Sequence, residues 1–247
     1  MILPMKNEEH TIVLITSGTL ELTDLKGTTR FQSGSLCFCS GKTLIKQRRY
    51  PGPLGEYKEI SITLPLTVLK TFAGEYNHAE QQSTTERAFL QLPESPLLLN
   101  YMRSLLPYQE VFKQENSKEL LILKVKEAVI TLLMENPEMK QTLFNFAKPP
   151  KIDLKSFMLQ HYHFNVELNR FAYLTGRSLS TFKRDFERTF QMAPSRWLMQ
   201  KRLEQAYYLI KSKRKSASAV YLDVGFEDLS HFSYVFKKHY GVPPSLL

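Results

Sequence analysis

The first 64 residues alternate short apolar runs with turn residues. His10–Thr16 is a β-branched apolar run, and Ser17-Gly18 turns the chain into Thr19–Asp24, where Leu20, Leu22 and Asp24 alternate with Thr19, Glu21 and Thr23. Lys26-Gly27 and Ser33-Gly34 mark further turns, and Ser35–Ser40, Thr43–Arg48 and Tyr57–Leu64 continue the series. Short strands with a turn every ~8–12 residues predict a small β-barrel or sandwich.

Beyond residue 64 the period lengthens. Pro65 can open a helix over 65–76, and 94–108 carries Leu97, Tyr101 and Leu105 at helical spacing. The strongest helix of this half is expected over 117–135, with Ser117 as its cap. Leu121, Val125, Ala128 and Leu132 form its apolar stripe, with Ile122, Val129 and Leu133 alongside. Two uses fit the stripe: packing against the barrel, or the seam of a homodimer. Asn136-Pro137 ends the helix, and 137–150, closing on Pro149-Pro150, reads as a linker.

Every later segment reads as helix. Asp153, Asn165, Ser178, Ser216 or Ser218, and Asp228 are expected caps; Gly176, Gly225 and Gly241 are expected stops; Pro194 opens a long helix to about Lys211. The fold class is therefore α+β in two domains. A small N-terminal β-barrel with its following helices occupies 1–136, and an all-α domain occupies 151–247.

Charge separates the same two parts. Residues 1–147 hold 16 basic and 16 acidic side chains, whereas 148–247 hold 17 and 8, so the net charge of +9 lies wholly in the last 100 residues. That asymmetry gives only the second part an anionic partner, with double-stranded DNA the leading candidate. No apolar run approaches the ~20 residues of a membrane-spanning helix, and the opening Met1–Met5, interrupted by Pro4, is not expected to act as a signal peptide. A cytoplasmic protein associated with the nucleoid is expected. Cys37 and Cys39, two apart on one strand, read as small buried residues.

An internal repeat carries the function. Ser180, Phe182, Phe186, Phe190 and Pro194 recur 50 positions later as Ser230, Phe232, Phe236, Tyr240 and Pro244, and Gly176 has its counterpart in Gly225. Each copy is a short helix, a glycine turn, a capped helix and a proline exit, which is a helix-turn-helix. The aromatic spine locks the second helix from behind and leaves its other face free for a major groove. On the first copy that face offers Ser180, Thr181, Lys183 and Arg184 to base edges; on the second, Leu229, Ser230, His231 and Tyr234. Arg177, Ser178, Arg196, Lys237 and Lys238 are the expected phosphate contacts. The long helix between the copies, at 1.5 Å per residue, sets the recognition helices roughly 34 Å apart, one turn of DNA.

The strings FAYLTGRSLSTFKRDFERTFQMAPSRWLMQKRL (171–203) and VGFEDLSHFSYVFKKHYGVPP (224–244) resemble the AraC/XylS family of bacterial transcription regulators. The resemblance implies a double helix-turn-helix domain in which Ser180, Lys183 and Arg184, then Leu229, Ser230, His231 and Tyr234, are base-facing. Gln191 departs from the family pattern, which usually has glycine there. The N-terminal half resembles the cupin-like sensing domains such regulators carry, and its layout is similar to activators of type III secretion that answer to protein partners. A small-molecule or protein effector at this half is thereby implied.

The competing class is a cupin-fold enzyme with an accessory nucleic-acid-binding module. A cupin metal centre needs three or four convergent ligands, mostly His, and the first 90 residues offer only His10 and His78. Glu56 and Glu59, flanking Tyr57, read as an exposed strand edge. No catalytic residues, cofactor or metal are expected.

Overall fold

The computed structural model describes residues 2–4, 9–76, 87–114 and 117–247. His78 and Met5, which entered the sequence reading, lie outside them. The chain divides into two compact units, Asn7–Ala147 and Lys148–Leu247, and Ile2–Pro4 groups with the second.

Ile2–Pro4 is a short strand, β1, and the first unit holds seven strands: β2 His10–Ser17, β3 Thr19–Thr23, β4 Thr28–Gln32, β5 Leu36–Cys39, β6 Lys46–Tyr50, β7 Lys58–Leu64 and β8 Phe89–Gln91. Within the unit they form two sheets, ordered β6-β3-β4 and β7-β2-β5-β8. The expected closed barrel is absent. The chain changes sheet at Ser17-Gly18, at Ser33–Ser35, between β5 and β6 and again between β6 and β7, and among the described residues no strand pairing joins one sheet to the other. The central strands of the second sheet, β2 and β5, are buried on both faces. In register, Ile12 lies beside Phe38 and Ile62, and Leu14 beside Leu36 and Ile60. These side chains form one core with the helices α1 Leu66–Glu75, α2 Pro96–Ser104 and α3 Lys118–Glu135. Val13, Ile15, Cys37 and Cys39 alternate to the opposite face and are buried too. Phe31 of β4 stands edge-on to Phe89 of β8 at 6.1 Å.

The helix α3 decides between the two uses of its stripe. Val125, Ala128 and Leu132 are at most 1% exposed and belong to the unit's own core, with Leu121 half-buried against it. They are spent inside the protomer and cannot form a seam between copies. The exposed side of α3 instead carries Ile122, Leu123, Ile130 and Met134. Ser117 precedes α3 without capping it, its hydroxyl donating to the Gln114 carbonyl at 2.6 Å. The segment 137–150 is only partly a connector. A single 3-10 turn at Pro137–Met139 leads into α4, Lys140–Leu143, and Met139, Leu143 and Phe144 fill the same core. Burying three large apolar side chains binds this stretch to the first unit.

The second unit carries six α-helices, α5 Leu154–His161, α6 Leu168–Leu174, α7 Leu179–Phe190, α8 Pro194–Lys211, α9 Ala217–Val220 and α10 Leu229–Tyr240, and a 3-10 turn at Pro244–Leu246. Side-chain caps on Asp153, Ser178, Ser216 and Asp228 accept from backbone N–H groups three residues on, each satisfying a donor that the first turn of its helix leaves free. Asn165 does not cap α6, whose first turn follows Glu167. Phe182, Phe186, Phe232 and Phe236 are fully buried. Trp197 of α8 packs against Phe186 and Phe190, with centroids 5.5 and 4.5 Å away, and Tyr207 lies 4.8 Å from Tyr240. The long helix thus supplies a wall to both copies of the repeat.

Candidate nucleic-acid interface

Both helix-turn-helix turns are built alike. After α6, the Arg177 N–H returns to the Ala172 carbonyl at 2.9 Å; after α9, the Phe226 N–H returns to the Tyr221 carbonyl at 2.9 Å. Each bond closes around a glycine in the left-handed region, Gly176 at φ +67° and Gly225 at φ +99°. At both positions space excludes a side chain as well. A Cβ on Gly176 would lie 2.5 Å from the Pro150 carbonyl oxygen, and one on Gly225 would lie 2.9 Å from both Arg202 Nε and the His163 carbonyl oxygen.

Arg177 is the largest departure from the expected site. Its side chain is 7% exposed, and its Nε pairs with Asp185 Oδ2 at 3.1 Å. Its Nη1 donates to the carbonyls of Ile152 and Thr175 at 3.0 and 2.6 Å. A guanidinium enclosed in this way fixes the turn against α7, with three of its five N–H donors committed to the fold. Asp185 also meets Lys151 at 3.4 Å and Arg188 at 3.5 Å. The hydrogen bond from Arg177 holds its carboxyl below the usual carboxylate range.

The remaining expected residues are accessible. Ser180, Lys183 and Arg184 lie exposed on one face of α7 at i, i+3 and i+4, with Thr181 half-buried beside them. Neither Lys183 nor Arg184 forms an ion pair among the described residues. The Ser178 hydroxyl is engaged at the cap, 2.9 Å from Thr181 Oγ1. On α10, Leu229, Ser230, His231 and Tyr234 are all exposed over the first two turns, Tyr234 by 66%. Lys237 and Lys238 follow in its last turn, and Arg196 is exposed on the first turn of α8. Leu179, 40% exposed on α7, adds an apolar contact that the spacing argument missed.

Arg202 was also missed. From the middle of α8 its Nε donates to the Tyr162 carbonyl at 2.9 Å, its Nη2 to the Phe164 carbonyl at 2.9 Å, and its Nη1 to Asn165 Oδ1 at 3.2 Å. Burial lowers its pKa to about 10. One side chain therefore ties the entry to the first copy, the long helix and the glycine turn of the second. In sequence it is one more basic residue. In the first unit, Glu59 is committed to Arg49 at 2.9 Å and to the Tyr57 hydroxyl, and Glu56 pairs with Lys58 at 2.5 Å. Among the described residues no group of three or more His, Cys, Asp or Glu side chains is placed to hold a metal ion. No helix of the described residues is long and apolar enough to cross a membrane.

Two helix-turn-helix units joined by one long helix, behind a β-rich domain, are the architecture of a DNA-binding regulator. The helix-turn-helix domain model matches residues 171–247, and the ExsA N-terminal regulatory domain model matches residues 10–145, more than half of the chain. The chain belongs to the AraC family of transcription regulators and, within it, to the proteins that carry the ExsA N-terminal regulatory domain. It is 21% identical over 241 residues to the HTH-type transcriptional regulator ExsA of Pseudomonas aeruginosa, covering 97% of this chain and 86% of that protein. It is 25% identical over 194 residues to the virulence regulon transcriptional activator VirF of Yersinia enterocolitica, covering 74% and 69%. The solved structure of apo ToxT from Vibrio cholerae aligns over 100% of this chain and 92% of its own at 13% identity, with a TM-score of 0.44.

Proposed function

We propose that this regulator activates transcription in the cytoplasm by reading a bipartite DNA site, with α7 and α10 entering successive major grooves. The observation that carries the reading is the repeated exposed face: Ser180, Lys183 and Arg184 on α7, and Leu229, Ser230, His231 and Tyr234 on α10, each backed by a buried aromatic spine. Arg184 and Lys183 can donate to guanine O6 and N7, serine hydroxyls serve either base or phosphate, and Leu229 suits a thymine methyl. Arg196, Lys237 and Lys238 supply phosphate contacts, with the Ser178 hydroxyl at the start of α7. The 18 residues of α8 span about 27 Å, which supports a separation near one helical turn of DNA once the thickness of each unit is added.

Control is assigned to the first unit. The match to a regulatory domain supports a small-molecule or protein effector acting there. A homodimer is proposed through the exposed face of α3, where Ile122, Leu123, Ile130 and Met134 replace the buried stripe as the seam. Paired protomers on adjacent half-sites gain affinity through effective concentration.

Selection from a pool of randomised duplexes with the full chain tests the reading. The expected product is one site with two short motifs about 10 base pairs apart. Enrichment of no motif, or of a single short one, contradicts it.

A further inference from the structure

The corner where α8 passes into α9 reads Lys211-Ser212-Lys213-Arg214-Lys215-Ser216, and all six residues are exposed. No Asp or Glu occurs between Gln205 and Leu222. Among the described residues Lys213, Arg214 and Lys215 form no ion pair, while Lys211 is engaged by the Tyr207 hydroxyl at 2.8 Å. Like charges held together without counter-charges repel one another, and that cost is relieved when an anion binds.

The corner is a defined turn. Arg214 sits in the left-handed region at φ +53°, and the Lys215 N–H closes the turn on the Leu209 carbonyl at 3.2 Å. Arg214 and Lys215 line one side of a cleft of about 650 Å³ whose lining also includes Leu229 and Ser233 of α10. The basic corner is therefore a direct neighbour of the recognition helix of the second copy. That helix has no lysine or arginine over Leu229–Phe236, whereas α7 has Lys183 and Arg184 on its exposed face. The second copy needs a source of phosphate affinity near its reading end, and the corner provides it.

We propose that Lys213, Arg214 and Lys215 form a phosphate clamp that anchors the second helix-turn-helix unit on the DNA backbone beside the groove α10 reads. The clamp rests on the DNA-reading function proposed above. It contributes affinity and salt dependence without reading sequence, because phosphate is the same at every base pair.

The test uses the full chain with Lys213→Ser, Arg214→Gly and Lys215→Ser combined. Glycine at 214 accepts the left-handed backbone, so the turn is kept. Fluorescence anisotropy is measured against a duplex carrying the selected site and an unrelated duplex over a series of salt concentrations. Trp197 emission on heating checks that the second unit remains folded. The clamp predicts that both duplexes lose affinity by the same factor. The log–log salt slope becomes shallower by about 0.9 per lost contact, about 2.7 for three. A triple variant with wild-type affinity and slope overturns the clamp and leaves the corner to another anionic partner, such as an acidic protein. Loss confined to the selected duplex with an unchanged slope also overturns it, because the corner then reads bases. A wild-type chain that binds neither duplex overturns the underlying DNA reading, a result distinct from either.

Discussion

Arg177 and Asp185 meet as an enclosed ion pair, Nε to Oδ2 at 3.1 Å, across the turn that aims α7. Sequence position offers Arg177 to DNA; the fold gives it to the turn. The carboxyl titrates below its unfolded value, so its contribution to stability is fully present above about pH 4 and is lost as pH falls through the folded value. Asp185→Asn is expected to destabilise the second unit by about 1–3 kcal/mol at pH 7, since Arg177 keeps its two carbonyl partners but loses its carboxylate. It should also flatten the acid limb of the stability profile. Trp197, the only tryptophan and part of this unit, reports both by fluorescence.

Gln191 ends α7 in the left-handed region at φ +52°, where its counterpart Gly241 ends α10 at φ +78°. A non-glycine residue there costs about 1–2 kcal/mol, partly offset because glycine has the greater freedom to lose from the unfolded chain, and by the Gln191 Nε2 bond to the Arg188 carbonyl at 2.9 Å. Gln191→Gly is expected to stabilise the unit by about 0.5–1 kcal/mol, read as a rise of a few degrees in Tm. A fall in Tm would show that the side-chain bond outweighs the strain.

Much of this was legible because side-chain chemistry announces itself locally. Helix-period phenylalanines gave α7 and α10 their buried spines, and Asp153, Ser178 and Asp228 cap as their hydroxyl and carboxylate groups dictate. What depends on distant partners was not legible. The strand β4, Thr-Thr-Arg-Phe-Gln, has a single buried residue and no alternating signal to find. The stripe of α3 could be seen, but not whether its own sheet or a second copy would cover it. Asn165 looked like a cap and instead receives Arg202 from 37 positions away. No local pattern marks a long-range polar pair.

The α3 seam makes opposite predictions for its two faces. Leu123→Glu combined with Met134→Glu should convert a dimer to a monomer in sedimentation, with stability changed by less than about 0.5 kcal/mol per site, as for other exposed positions. Val125→Glu should unfold the first unit by burying an unpaired charge. A wild-type chain that sediments as a monomer at high concentration and on DNA removes the seam.

Lys183→Ala and Arg184→Ala separate base reading from phosphate holding. Each is expected to cost about 1–3 kcal/mol at one base position of the selected site while leaving binding to unrelated duplex much less affected. Equal loss on every duplex would assign both residues to phosphates.

The central claim is that one protomer places two recognition helices on one face of the duplex. Footprinting of the full chain on its selected site, with a reagent that reports major-groove accessibility, tests this most directly. Two protected patches about 10 base pairs apart are expected, the one under α7 lost selectively in Arg184→Ala and the one under α10 weakened in Tyr234→Ala. A single protected patch for each protomer, or two patches that both fade with either substitution, would contradict the account.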